Sequence, residues 1–170
     1  MKIMPAFSSI NTGSARRILF LSLILSFLIP YFTVFLGEKA LLRHWENYGF
    51  APEQTHEWWD NGFMSMDKAK QWRAERFGPA QARPWMLMKI GPGEASEWRA
   101  AGAKLSEAAQ WRRYAFTPSL AGEWMRGGFS IGDAIAWRKH GFEAGEAARW
   151  REKGLSPAAA AQAKRGGRNP

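Results

Sequence analysis

Two patterns of apolar residues divide the chain. An uncharged apolar run, ILFLSLILSFLIPYFTVFLG, extends from Ile18 to Gly37, and tryptophan recurs at nearly constant intervals beyond it. A helix rises about 1.5 Å per residue, so about twenty residues match the roughly 30 Å hydrocarbon core of a bilayer. The run therefore predicts a transmembrane helix over 18–37, with a kink at Pro30 that such helices tolerate.

A cleaved secretory signal is the alternative for this run. The apolar region of such a signal usually holds about 7 to 15 residues and ends in small residues. Here the run is longer and continues into FLGEKALL, which offers no such cleavage site. We therefore interpret the run as a signal anchor of a single-pass membrane protein. It is flanked by a basic N-terminal tail over 1–17 and by a juxtamembrane helix or linker over 38–44.

Tryptophan recurs at every thirteenth position over the remainder, and a single interval is longer by one. Alanine usually stands three residues before it, glycine often four residues after it, and an apolar residue five after it. These tandem copies predict, over 45–163, an all-α, solenoid-like stack of short helices. A basic, disordered tail over 164–170 is predicted to follow. The series comprises Trp45, Trp58, Trp72, Trp85, Trp98, Trp111, Trp124, Trp137 and Trp150.

Proline and glycine predict where each helix begins and ends. Proline is tolerated at the first helical residue and glycine is favoured just past the last one. The N-cap hydroxyls are then those of Thr117, Ser130 and Ser156, and Asp133 forms a capping box with Ser130. Each repeat is predicted to be a helix of about ten residues and a short turn. Pro84 lies inside an expected helix, which predicts a break or kink and a hinge between two sub-stacks.

The recurring tryptophans are interpreted as the packing core of the stack. Alanine and tryptophan three residues apart share one helix face. Burying one tryptophan contributes at most about 5 kcal/mol, whereas ordering a repeat costs about 20 kcal/mol, so a repeat depends on its neighbours. Ala163 replaces tryptophan in the last copy, as expected of an end without a further neighbour. A row of exposed aromatic binding sites is the alternative interpretation.

The distribution of charge predicts the topology. Lys2, Arg16 and Arg17 precede the apolar run without acidic residues beside them, which favours a cytoplasmic N-terminus. The repeats are then outside the cytoplasm, in the periplasm if the cell is a Gram-negative bacterium. The chain beyond Gly37 contains 21 basic and 15 acidic residues, a net charge of +6 that favours anionic partners. A reversed topology, with the repeats near nucleic acid, is the alternative.

A basic residue follows the tryptophan in several repeats. In a regular stack these side chains would line up and offer cationic contacts to phosphate, acidic glycan or an acidic protein strip. The alternative is a solvated helix face that forms ion pairs with Glu97, Glu123 or Glu152. The candidate contacts for an anionic partner are Arg73, Arg99, Arg112, Arg138 and Arg151.

The sequence contains no catalytic or metal-binding motif. It has no cysteine, and His44, His56 and His140 are too scattered for a metal site. Zinc-protease, serine-hydrolase, P-loop and dinucleotide-binding motifs are absent from it. We therefore predict no enzyme, no cofactor, no metal and no small-molecule substrate. An envelope-degrading enzyme is the third hypothesis, and it requires a carboxylate outside the repeat register.

The leading functional hypothesis is a membrane-anchored scaffold. Stacked helices provide extended binding surfaces, so the repeats are predicted to bind another protein. The chain would then be an accessory or assembly subunit of a cell-envelope or membrane complex. The alternative is a protein that binds an anionic polymer, either nucleic acid or envelope glycan, through paired tryptophan and arginine residues.

Overall fold

The computed structural model describes residues 28 and 34–170. This part of the chain is helical, with short helices and no β-strand, which confirms the all-helical repeat architecture predicted for it. Helix α1 includes residues 34–46. The helices that follow are α2 (Pro52–Asp60), α3 (Met66–Ala74), α4 (Pro79–Leu87), α5 (Pro92–Ala100), α6 (Leu105–Arg113), α7 (Pro118–Arg126), α8 (Ile131–Lys139), α9 (Ala144–Glu152) and α10 (Pro157–Arg165).

Most of the predicted transmembrane segment lies outside the described residues, which include only residues 28 and 34–37 of it. The basic tail over 1–17 lies outside them altogether, whereas the predicted juxtamembrane segment over 38–44 lies within α1. Within the described part, no helix combines the length and the apolar character that crossing a bilayer requires. The transmembrane helix therefore stays a prediction.

The chain divides between Glu57 and Trp58 into two compact units, and the division falls within α2. In the first unit, Trp45 and Phe50 are both buried. Their rings meet edge to face, with the centroids 5.0 Å apart. This ring pair recurs through the second unit, where it forms the core.

Each repeat helix ends in a Schellman motif, which accounts for the spacing of tryptophan, glycine and phenylalanine. In α7, the amide of Gly128 donates to the carbonyl of Met125 at 2.9 Å, and the amide of Phe129 donates to that of Trp124 at 3.0 Å. This geometry requires a left-handed residue, and Gly128 has φ +68°. The motif brings the third residue from the helix end against the third residue beyond it. These two residues are the tryptophan and the phenylalanine of the repeat.

The aromatic rings of the repeats form a continuous ladder in parts of the second unit. Trp124 meets Phe129 at a centroid distance of 5.0 Å, and Phe129 then meets Trp137 of the next helix at 6.3 Å. Both contacts are edge to face, an arrangement worth about 0.5–1.5 kcal/mol beyond the area buried. Ile90 and Ala103 replace phenylalanine after α4 and α5 and are likewise buried. Where phenylalanine meets the next tryptophan, the ladder therefore joins a helix to its successor through the turn between them.

The nine tryptophans of the repeat register are all buried, with 0% to 8% of each exposed. The alanine three residues before the tryptophan is completely buried wherever it occurs, because it lies where a neighbouring helix packs. Thr55 occupies this position in α2 and is also buried. Its hydroxyl donates to the carbonyl of Ala51 at 3.1 Å, which satisfies the buried polar group.

The predicted helix starts are confirmed at three caps. Hydroxyls of Thr117, Ser130 and Ser156 accept hydrogen bonds from amides in the first turns of α7, α8 and α10. The capping box is also present, because the carboxylate of Asp133 accepts from the amide of Ser130 at 3.2 Å. Helices α2 to α10 each contain nine residues, slightly fewer than predicted. The extra residue of the one longer interval is Met64, which is 73% exposed in the turn before α3.

The predicted break at Pro84 is wrong. Helix α4 continues through this proline and has the same length as its neighbours. Proline leaves the carbonyl four residues earlier, that of Ala80, without its helical partner, but Ala80 is exposed to solvent. The buried Ala82 and Trp85 meanwhile fix the helix in the core. The division between compact units lies within α2 and not at α4. The expected hinge at α4 stays a prediction.

Three repeats place a side chain where the Schellman motif requires a left-handed residue. Arg76, Lys89 and Ala115 have φ of 59°, 57° and 58°. Glycine adopts this conformation freely, whereas other residues lose about 1–2 kcal/mol in it. We expect Ala115→Gly to raise the free energy of unfolding by about 0.5–1 kcal/mol, since glycine's greater freedom in the unfolded chain offsets part of the gain.

Chemical denaturation monitored by tryptophan fluorescence measures this effect. Ala136→Gly is the matched control, because Ala136 is exposed within α8. There, glycine should lower the free energy of unfolding by about 0.5–1 kcal/mol. Equal destabilisation by both substitutions would contradict the role assigned to the left-handed position.

Candidate binding surface

Contacts in the second unit join the ends of alternate helices, and ion pairs join the end of a helix to the start of the one before it. Consecutive helices are therefore antiparallel, which places their ends on two edges. Arg112, near the end of α6, pairs with Glu94 in the first turn of α5, with Nε 3.2 Å from Oε1. Lys164, near the end of α10, pairs with Glu146 in the first turn of α9 at 2.8 Å. We call the edge that carries the C-terminal turns of α4, α6, α8 and α10 the even edge. The odd edge carries those of α3, α5, α7 and α9.

Odd-numbered helices also pack against each other. The closest packing joins α5 to α7, and α7 also packs against α9. A Cβ atom built on the buried Gly122 of α7 would lie 3.2 Å from the Cβ of Ala101. Glycine at this position therefore permits the close approach of α5 and α7. Helix α7 is thus fixed by α6 and by the helices two places before and after it.

At the odd edge, two of the candidate arginines bind the end of the helix two places earlier. The guanidinium of Arg99 donates to the carbonyls of Glu75 and Arg76 at the end of α3, at 2.6 and 3.3 Å, and lies 4.1 Å from the centroid of Phe77. Arg151 makes the equivalent contacts with the end of α7. It donates to carbonyls at 2.5 and 3.1 Å and lies 3.9 Å from the centroid of Phe129. The two arginines therefore connect alternate helices.

The other candidate arginines differ in their surroundings. Arg138 of α8 lies over the ring of Phe116, 4.5 Å from its centroid. Arg112 of α6 donates to the carbonyl of Met88 at 3.4 Å, besides its ion pair with Glu94. Arg73 is exposed in α3.

The five arginines therefore do not form a single line. Helix parity places Arg73, Arg99 and Arg151 at the odd edge, whereas Arg112 and Arg138 lie at the even edge. The expectation that they line up is wrong because successive helices point in opposite directions. Contact of these arginines with an anionic partner stays a prediction.

The ion pairs also differ from the sequence-based alternative. Among the described residues, the ion pairs found are Arg112 with Glu94, Lys164 with Glu146, and His56 with Glu38. None of the carboxylates named in that alternative, those of Glu97, Glu123 and Glu152, takes part. The two pairs in the second unit instead follow a rule of position, because each joins the residue after the tryptophan position to the first turn of the preceding helix.

At the even edge, this rule identifies one basic residue for which the carboxylate is missing. Glu94 and Glu146 each accept a hydrogen bond from the indole of their own helix, at 3.2 and 3.4 Å, besides the ion pair. The corresponding residue of α7 is Leu120. Arg138 consequently faces no carboxylate there, and the buried Nε1 of Trp124 has no hydrogen-bond partner.

The missing carboxylate leaves a cationic surface around the ends of α6 and α8. Besides Arg138, this surface includes Arg113 and Lys139, both exposed in the last residue of a helix. We call Arg112, Arg113, Arg138 and Lys139 the basic patch. Nothing in the first turn of α7, which contains Pro118, Ser119 and Leu120, offsets its charge.

Arg113 and Lys139 were not predicted from the sequence, because the pair of basic residues to which each belongs does not recur from one repeat to the next. Comparison of alternate repeats would have found them, since Arg112 and Arg113 recur as Arg138 and Lys139 two repeats later. Tyr114 is half exposed between them, and Ala115 after it replaces the recurring glycine. The signal in the sequence that indicates the basic patch is therefore a departure from the repeat pattern at the end of α6.

The described part of the chain is therefore a tandem helical-repeat protein with a tryptophan-rich core and a local basic patch. Comparison of the chain with protein-family models, with curated proteins and with solved structures finds no match.

The missing carboxylate leads to a direct test. Leu120→Glu should provide a hydrogen-bond acceptor for the Trp124 indole and an ion-pair partner for Arg138, as Glu94 does for Trp98 and Arg112. Satisfying a buried donor contributes about 1–3 kcal/mol, and the loss of leucine packing offsets part of it. We expect the free energy of unfolding to rise by about 1 kcal/mol.

Chemical denaturation provides the measurement, and Leu120→Gln is the control. Glutamine supplies the acceptor without the negative charge, so the difference between the two variants isolates the ion pair with Arg138. A Leu120→Glu protein less stable than both the original and the glutamine variant would show that the positional rule does not extend to α7.

Proposed function

We propose that this chain is a membrane-anchored, non-enzymatic scaffold whose repeats form a solenoid-like stack and bind another protein. One observation carries the proposal: the side chains shared by the repeats are the buried ones, whereas the exposed side chains differ from helix to helix. The shared tryptophan, alanine and apolar residues maintain the stack. The varied exterior is then available for recognition, as in other repeat proteins that present extended surfaces.

The membrane anchor in this proposal rests on the uncharged run over 18–37 and on the basic residues before it. An anchored scaffold of this kind has its repeats outside the cytoplasm and serves as an accessory or assembly subunit of a cell-envelope or membrane complex. The positive charge of the repeats favours a partner with an acidic surface.

An anionic polymer is the second candidate partner, and the basic patch favours it. Nucleic-acid binding proteins usually add exposed aromatic rings on which bases stack. In this chain the tryptophans of the repeat register are buried, so they offer no stacking surface. A protein partner therefore agrees better with the exposed side chains.

Protease accessibility tests the topology. In sealed vesicles with the outer face of the membrane exposed, we expect protease to remove the repeats, because the positive-inside rule places them outside. Inverted vesicles should protect them until detergent opens the membrane. A chain that washes off the membrane would contradict the predicted anchor. Cleavage of the repeats only in inverted vesicles would show that they lie in the cytoplasm.

Purification of the full chain in mild detergent, after cross-linking in intact membranes, tests the scaffold. We expect one protein partner in a fixed ratio, with cross-links that map to 58–170. Mass spectrometry identifies the linked residues. Recovery of the chain alone under all conditions, or cross-links confined to 1–57, would contradict binding through the repeats.

A further inference from the structure

Two cavities in the second unit repeat one arrangement of side chains. The first, of about 290 Å³, is lined by Met88, Ile90, Ala109, Arg112 and Arg113. The second, of about 380 Å³, is lined by Tyr114, Phe116, Ile135, Arg138 and Lys139. Every residue of the second cavity follows its counterpart in the first by two full repeats. Both lie on the even edge, since their basic residues belong to the ends of α6 and α8.

Each cavity is open at the surface and combines an apolar interior with a cationic rim, and in the second the guanidinium of Arg138 lies over the ring of Phe116. The buried Ile90 or Phe116 lies at the end of the turn after the preceding even helix. Met88 and Tyr114 occupy equivalent positions at the rim and are 44% and 52% exposed. Two basic side chains complete each cavity.

Carboxylates are missing from the lining of both cavities. They do line two other cavities of the same unit, through Glu97 in one and Glu107 in the other. Glu94 offsets the charge of Arg112 near the first cavity, but Leu120 leaves the second without such a partner. Among the described residues, no ion pair is found for Arg113, Arg138 or Lys139. The positive charge is therefore available to a ligand of opposite charge.

The apolar interior distinguishes a peptide from other anionic ligands. Aliphatic and aromatic walls bury an apolar side chain favourably, by about 25 cal/mol per Å² of surface removed from water. Nucleic acids and glycans bind through exposed aromatic platforms, but here only Tyr114 provides an exposed ring in the lining of these cavities. The combination of apolar interior and cationic rim therefore favours a segment that contains both apolar and acidic side chains.

The spacing of the cavities defines the pattern of that segment. The cavities belong to successive helices of the even edge, and side-by-side packing of such helices at about 8–10 Å would place the cavities that far apart. A peptide in the extended polyproline II conformation has three residues per turn and rises about 3.1 Å per residue, so every third side chain lies on the same face and advances about 9 Å. Apolar residues three apart would then enter adjacent cavities, while the intervening acidic residues meet the rim.

We propose that these paired cavities bind an extended acidic segment of a partner protein that has apolar side chains at every third position. The inference rests on the proposed function, because it specifies the partner of the same repeats. It adds the chemistry of the bound segment and the place where it docks.

Fluorescence anisotropy with synthetic peptides and the full chain in mild detergent tests the proposal. The probe is a labelled peptide of four Leu-Glu-Glu triplets, and micelles alone provide the blank. Its comparison peptide, four Ser-Glu-Glu triplets, has equal charge without the apolar side chains. We expect it to bind at least about tenfold more weakly, the equivalent of about 1.4 kcal/mol. Equal affinity of the two peptides would overturn the apolar part of the proposal.

Charge variants test the location. We expect the Leu-Glu-Glu peptide to bind at least about tenfold more weakly to the double variant Arg113→Glu, Lys139→Glu. The matched control is Arg126→Glu with Arg149→Glu, the same change of charge on α7 and α9, and it should stay within about twofold. Equal losses in the two double variants would overturn the assigned site, because they would reflect net charge alone.

Leu120→Glu gives a variant that should weaken binding without loss of fold. The new carboxylate neutralises Arg138 beside the second cavity, so peptide affinity should fall by about threefold or more. Circular dichroism verifies that the variant is folded. Unchanged affinity in a folded Leu120→Glu protein would contradict participation of the second cavity.

Two further ligands separate the other classes of partner. A nine-nucleotide oligothymidylate and vesicles of phosphatidylglycerol offer negative charge without apolar side chains in an extended chain. Tighter binding of either one than of the Leu-Glu-Glu peptide, with the same loss in the Arg113, Lys139 variant, would overturn a protein ligand for these cavities. Failure of the peptide to bind, alongside a partner cross-linked elsewhere on 58–170, would refute this inference and leave the proposed scaffold intact.

Discussion

The contact between the tryptophan near the end of each helix and the apolar residue just beyond it is the interaction on which the repeats depend. The Schellman motif brings these two side chains together through backbone hydrogen bonds alone. Phe129 shows the consequence, because its ring meets Trp124 of its own repeat and Trp137 of the next. A local feature of helix termination therefore becomes the connection between helices. Helices of nine residues, too short to be stable alone, are stabilised by this packing.

A second set of contacts acts over a longer interval. Arg99 and Arg151 reach the terminal carbonyls of the helix two places earlier and cover the phenylalanine there. Those carbonyls are the groups that a helix leaves without partners, so a guanidinium satisfies them and also favours the negative end of the helix dipole. Charge at the odd edge thus contributes to structure. At the even edge, Arg113 and Lys139 make no such contact in the described part of the chain, and that difference is the basis for assigning them to recognition.

The sequence predicted the helices well because local chemistry determines them. Caps such as Ser130 and stops such as Gly128 act within a few residues, so their positions follow from spacing. Pro84 was misjudged because burial of Ala82 and Trp85 outweighs one lost hydrogen bond, and burial is a property of the folded stack. The surface could not be predicted in the same way. Its charges depend on which helix ends share an edge. Successive helix ends alternate between the two edges, so comparison of each repeat with the next does not show which charges lie together.

Because successive helices pack antiparallel, even-numbered and odd-numbered helices place their C-terminal turns at opposite edges of the array. Duplication of a single repeat within the second unit would reverse every helix after it and carry the later side chains to the opposite edge. If the added repeat lies between α6 and α8, Arg138 and Lys139 no longer share an edge with Tyr114. Gain or loss of two repeats preserves the orientation of all that follow. The array can therefore change length during evolution, or in engineered versions, by pairs of repeats without rearranging the surface that the remaining repeats present.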